Sequence, residues 1–137
     1  DDIALIMRQP WTMTCTDGGL QPMTEGKPHP RAYGAFPRKL KRYVRERGAI
    51  GLADAIRTMT SLPATVFGLK DRGQIRVGAY ADLLIFDLAQ VNDAATYQEP
   101  HQLAEGMTDI LVNGRWARRE GQFTTTLAGR VVVPERR

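Results

Sequence analysis

The stretch Thr12–Pro22, TMTCTDGGLQP, alternates β-branched and apolar residues up to Thr16, presents a carboxylate at Asp17, and breaks at Gly18-Gly19. A glycine pair turns the chain without help from a neighbouring acid. A carboxylate at the end of a strand-like run therefore needs its own explanation. Together with Trp11, residues 11–16 (WTMTCT) read as a short strand. On the residues alone two readings of Asp17 stand. Its side chain accepts the Gly19 amide in an Asx-type turn, or it is a chemical group set at the end of a strand.

Working outward, Asp1–Arg8 reads as a helix end stopped by Pro10. The chain opens Asp1-Asp2-Ile3 with neither a methionine nor a visible cap, and Ile3, Leu5, Ile6 and Met7 look like the tail of an amphipathic helix. The expectation is a piece of a longer protein. Residues 18–37 form a long irregular segment punctuated by Pro22, Pro28, Pro30 and Pro37, and long loops in compact domains are often functional. Residues 36–47 read as a basic amphipathic helix closed by Gly48, with Phe36, Leu40, Tyr43 and Val44 facing a core and the basic residues on a solvated face. A second helix over 51–62 is closed by Pro63, and a short helical turn over 64–67 stops at Gly68. The order helix, strand, loop, helix, helix is the closing unit of an α/β structure.

From Gly73 the pattern changes. GQIRVG, ADLLIFD, DILVNG, RWARRE and GRVVV are short strand candidates, and Asn113-Gly114 is a strong hairpin signal. Residues 91–108 read as a polar excursion between strands. The chain thus divides into 1–70, α/β in character, and 71–137, all-β.

At 137 residues there is room for one domain with a modest core, and 42% hydrophobic content argues against disorder. No apolar run reaches the length of a membrane span. The single cysteine, Cys15, excludes an internal disulfide, fits a reducing compartment such as the cytoplasm, and reads as a small buried hydrophobe rather than a nucleophile. The net charge of +4 comes largely from RKLKRYVRER, where six basic residues stand against Glu46. Stacking aromatics and a binding motif are both missing, so a solvated face is the preferred reading and no nucleic-acid partner is expected. Gly18-Gly19 lacks the lysine of a phosphate-binding loop. One cysteine and two histidines cannot close a zinc site of the usual spacing, and His101 stands apart from the other ionisable candidates. The informative set is Asp17, His29 and Arg31. A strand that ends in a carboxylate and feeds a long loop is how α/β barrels present catalytic groups. Arg31 reads either as a salt bridge from loop to core or as a fork aimed at a substrate carboxylate.

Those residues resemble a known family. The segments Thr16-Asp17-Gly18, His29-Pro30-Arg31 and Tyr33-Gly34-Ala35-Phe36-Pro37-Arg38 are similar to the closing part of the N-acyl-D-amino-acid deacylases, in the amidohydrolase superfamily. The similarity continues through GLKDRGQIRVGAYADLLIFD, EPHQLAEGMTDILVNG and LAGRVV, nearly the whole chain. The resemblance implies a fragment of a metal-dependent amidohydrolase. It would be the last strand and helices of a (β/α)8 barrel with the substrate loop (1–70), followed by C-terminal strands of a small β-sandwich domain (71–137). It implies zinc in the parent enzyme, held mostly by residues outside this chain, and no metal ligand is assigned here. It also implies hydrolysis of the amide of an N-acyl-(D-)amino acid, a small-molecule substrate. Asp17 would be the catalytic carboxylate and Arg31, with His29, the substrate-binding group, a loop-shaping role being the other reading of His29. The loop from Gly19 to Lys27 lacks the further histidines often found in the family. The fragment alone is expected to be inactive. Its unpaired strand edges would allow a homo-oligomer. Two alternatives remain open: a relative acting on cyclic amides, dihydroorotase- or hydantoinase-like, and a non-catalytic β-rich assembly module.

Overall fold

A computed structural model of the chain describes residues 1–19, 21–23 and 25–134. Leu20 and Thr24 of the irregular segment, and the terminal Arg136 and Arg137, lie outside the described residues. Helix α1 (Asp2–Met7) does carry a cap, because Asp1 Oδ1 accepts the Ile3 amide at 3.2 Å. Only Ala4 of this helix is buried, and Ile3, Leu5 and Ile6 face outward.

The strand expected over residues 11–16 does not form. The segment is linked to its surroundings through the Thr14 amide, which donates to the Thr58 carbonyl at 3.1 Å. A strand exists only where a neighbour supplies a ladder, and among the described residues none pairs with it.

Helix α2 (Arg31–Arg38) begins earlier than the expected residue 36. Pro30 presets a helical backbone angle (φ −51°), and the His29 ring nitrogen Nδ1 accepts the Arg31 amide at 3.0 Å, satisfying one of the donors that a helix start leaves open. Pro37 interrupts the α-helical ladder from within. The chain then continues as a π-helical stretch, Lys39–Glu46, whose wider register shows in the Arg47 amide donating to the Arg42 carbonyl.

Arg42 and Arg47 of this long helix are exposed as expected, but the other basic residues do not form the open solvated face expected of them. Lys39 is buried, Arg38 and Lys41 hold Asp93, and one Arg45 nitrogen donates to the carbonyls of Leu88, Ala89 and Val91 at 2.7–2.9 Å. Charge periodicity along a helix says which side is polar but not whether another segment lies against it.

Helix α3 (Leu52–Met59) ends at Thr60, before the expected stop at Pro63. Thr60 takes a non-helical backbone (φ −131°, ψ −86°) and α4 (Ser61–Val66) follows, with Pro63 in its first turn, where no amide partner is lost. Gly68 (φ +65°) closes it, with the Leu69 amide on the Ala64 carbonyl and the Gly68 amide on that of Thr65.

Strands β1 (Leu83–Phe86), β2 (Met107–Val112), β3 (Arg115–Arg119) and β4 (Gln122–Phe123) form an antiparallel sheet in sequence order. Asn113 (φ +49°) and Gly114 (φ +76°) make the expected two-residue turn. A second such turn at Glu120-Gly121 had no comparable signal, since glutamate is a poor left-handed residue. The expected strands at 73–78 and 129–133 are absent: Val77 is 99% and Val131 89% exposed, with no ladder partner among the described residues.

One core joins both parts of the chain. Leu40, Ile50 and Ala55 from the helices pack with Val91 and Met107 from the ends of the 91–108 segment. That segment is therefore anchored rather than a free polar excursion.

Candidate functional site

Asp17 sits where the extended segment turns. Its backbone is left-handed (φ +47°), a conformation aspartate tolerates better than most residues. The Cys15 sulfur accepts the Asp17 amide at 3.4 Å and the Thr16 hydroxyl accepts that of Gly18 at 3.3 Å. Cys15 is exposed, contrary to its reading as a buried hydrophobe, because the segment that carries it is not enclosed in a sheet. A Cβ on Gly18 would lie 2.8 Å from the Ala32 Cα, so the turn rests directly on the first turn of α2.

That contact brings Arg31 onto Asp17. Arg31 Nε donates to the Asp17 carbonyl oxygen at 2.8 Å, and Nη2 lies 2.9 Å from Oδ2. The carboxylate, 81% exposed, pairs with the guanidinium rather than capping the glycine turn. Two of the five N–H groups of Arg31 are thereby committed to Asp17.

His29 joins the same group through its two ring nitrogens. Because Nδ1 accepts the Arg31 amide, the neutral ring carries its hydrogen on Nε2, which faces the Tyr97 hydroxyl at 2.9 Å. His101 repeats the arrangement. Its Nε2 donates to the Gly26 carbonyl and its Nδ1 meets the Tyr33 hydroxyl, each at 3.0 Å. The sequence sets His101 apart, marks Tyr33 only as part of a motif and gives no signal at Tyr97. The partners lie 68 residues from one another along the chain, beyond any local pattern.

A cleft of about 330 Å³ opens between the start of α2 and residues 93–98, lined among others by His29, Arg31, Arg38, Asp93 and Tyr97. At its edge Asp93 pairs with Arg38 (3.0 Å) and Lys41 (3.1 Å). Burial pushes the Asp93 carboxyl upward, but hydrogen bonds and charge from Lys41 and Arg38 outweigh it and hold the group below the ordinary aspartate value.

Lys39 is 5% exposed and its ammonium donates to the hydroxyls of Thr14 (2.6 Å) and Thr58 (2.7 Å), tying the segment before Asp17 to α3. Neither partner is charged, and burial lowers its pKa from the ordinary 10.5. The folded state then binds this proton less tightly than the unfolded chain. Stability is expected to rise as pH climbs from the lowered folded value to 10.5. Urea midpoints measured across that interval should rise in the native protein and stay flat in Lys39→Met. An equal slope in both would remove Lys39 as its source.

Among the described residues no group of three or more histidine, cysteine, aspartate or glutamate side chains is placed to hold a metal ion. No described helix is long and apolar enough to cross a membrane.

The backbone and the sequence agree on the lineage. The Amidohydrolase family model matches residues 1–133, and the chain belongs to that family. The D-aminoacylase of Alcaligenes xylosoxydans xylosoxydans is 43% identical over 132 residues, which is 96% of this chain and 27% of that protein. A D-aminoacylase crystal structure, described as defining a novel subset of amidohydrolases, superposes with a TM-score of 0.88 at 42% identity, again over 96% of this chain and 27% of the other. The N-acyl-D-glutamate deacylase of Bordetella bronchiseptica, complexed with zinc and a phosphonate mimic of the tetrahedral intermediate, superposes at 0.78 with 38% identity over 94% of this chain and 27% of that one. The chain thus spans about a quarter of the length of these relatives and shares the amidohydrolase fold over that part.

Proposed function

We propose that this chain is part of a zinc-dependent amidohydrolase that cleaves the amide bond of N-acyl-D-amino acids, releasing a carboxylate and a free amino acid. The observation that carries this reading is the exposed Asp17 carboxylate held at a left-handed turn by Arg31. It is supported by the identity to D-aminoacylase along almost the whole chain. In this reading residues 1–70 close a (β/α)8 barrel and 71–137 belong to its small β-domain, with the shared core as the seam between them.

In this reading zinc, which would activate the attacking water, is held by parts of the protein beyond the described residues, which assemble no metal site of their own. Asp17 does the proton work. One Oδ takes a proton as water adds to the amide carbonyl, and the same oxygen returns it to the nitrogen as the C–N bond breaks. Arg31 uses its remaining N–H groups to hold the substrate's α-carboxylate, a task suited to a planar, bidentate cation. His29 shapes the loop that presents both groups.

The test uses the intact protein. Hydrolysis of N-acetyl-D-amino acids is expected, lost on chelation and restored by zinc, and absence of turnover on all of them would overturn the reading. Arg31→Ala should raise KM about 10- to 100-fold for substrates with a free carboxylate, the value of a charge-assisted hydrogen bond pair. Neutral amides should be much less affected. Equal effects on both would leave Arg31 as a holder of Asp17 alone.

A further inference from the structure

Residues 97–101 lie across the loop that precedes α2, fastened at two points: Tyr97 on His29, and His101 on both Tyr33 and Gly26. The two rings of each histidine–tyrosine pair meet edge to face, with centroids 5.0 Å and 5.8 Å apart. The second fastening secures the strap itself. The first leads to the site. From the Tyr97 hydroxyl the chain of contacts runs to His29 Nε2, from His29 Nδ1 to the Arg31 amide, and from the Arg31 guanidinium to both oxygens of Asp17 that it touches.

We propose that Tyr97 is a positioning residue for the Asp17–Arg31 pair, acting through His29, and that the 97–101 strap thereby sets how tightly the site takes a carboxylate substrate. The kinetic part rests on the function proposed above, and the positioning part does not. His29 has no covalent restraint on its ring beyond its own rotamers. With Nε2 unpartnered the ring is free to turn, and its Nδ1 then leaves the Arg31 amide. That amide opens α2, so Arg31 sits on a helix start whose first donor has lost its acceptor. The guanidinium loses its fixed direction, and the cost falls on binding before it falls on chemistry.

Tyr97 suits the experiment because it is 66% exposed and outside the core, so removing its hydroxyl leaves the fold intact. In the intact protein, Tyr97→Phe is compared with the native form by three readouts. Carbethoxylation of His29 and phenylglyoxal modification of Arg31, each followed by peptide mass spectrometry, should accelerate several-fold, while carbethoxylation of His101 should not. KM for N-acetyl-D-amino acids should rise about tenfold, the equivalent of one hydrogen bond, with kcat within twofold and an unchanged melting temperature. An unchanged Arg31 modification rate overturns the proposal, as does a faster rate with unchanged KM in an active enzyme. Should the native protein hydrolyse no N-acyl-D-amino acid, that result removes the proposed function alone, and the His29 and Arg31 rates still decide the positioning.

Discussion

Asp17→Asn in the intact protein is expected to lower turnover of N-acyl-D-amino acids by about 10²- to 10⁴-fold, the usual contribution of a positioned proton carrier. Metal content and KM should stay close to the native values. The substitution is conservative in shape. The backbone carbonyl that accepts Arg31 Nε is untouched, and asparagine tolerates the left-handed backbone at this position. What disappears is the acceptor for a proton, since an amide cannot take one from water at neutral pH. The Arg31 fork also loses its ionic partner, which makes KM an internal control. A loss confined to kcat points to proton transfer, whereas a loss confined to KM points to a disturbed fork. Near-normal kcat would return Asp17 to the role of a turn residue.

Gly106→Ala should destabilise the chain by about 2–5 kcal/mol, combining a left-handed alanine with overpacking. Gly106 has φ +77°, and an added Cβ would stand 2.5 Å from the Gln90 carbonyl carbon and the Val91 nitrogen. Both are backbone atoms, so no flexible side chain can swing aside. The neighbours on either side of the clash, Val91 and Met107, are core residues, and any backbone shift there is felt by Leu40 and Ile50. Gly114→Ala provides the comparison, because Gly114 has nearly the same φ (+76°) with nothing within 4 Å of the added atom. It should lose only about 1–2 kcal/mol. Urea unfolding of the two variants separates steric from conformational cost. Equal losses would show that the close approach at residue 106 carries no weight.

The sequence made legible whatever depends on neighbours in the chain. Asn113-Gly114 announces its turn because both residues accept positive φ, and Leu40, Tyr43, Val44, Ala55, Ile56 and Met59 announce their buried side through spacing. The grouping of Asp17, His29 and Arg31 rests on motifs within one loop, and they do come together. Partnership at a distance was not legible. A strand at 11–16 was expected from composition, yet a strand is a relation between two segments and its second member is not among the described residues. Arg38, Lys41 and Arg45 looked solvated because Leu88–Asp93, which receives them, lies some fifty residues away. Tyr97 escaped notice for the same reason.

The basic side of that long helix also bears on inheritance. Arg38, Lys41 and Arg45 address a carboxylate, an amide oxygen and three main-chain carbonyls of residues 88–93. Main-chain acceptors are present whatever the side chains there, whereas Asp93 must be kept or replaced in step with its two cations. The β-rich half is therefore not a cassette that evolution or an engineer can exchange freely between family members. Its seat on the helices leaves the exposed side chains of Ala89 and Gln90 free to vary, but it fixes the buried Val91 and demands a matched change at 93, so the two halves are best exchanged together.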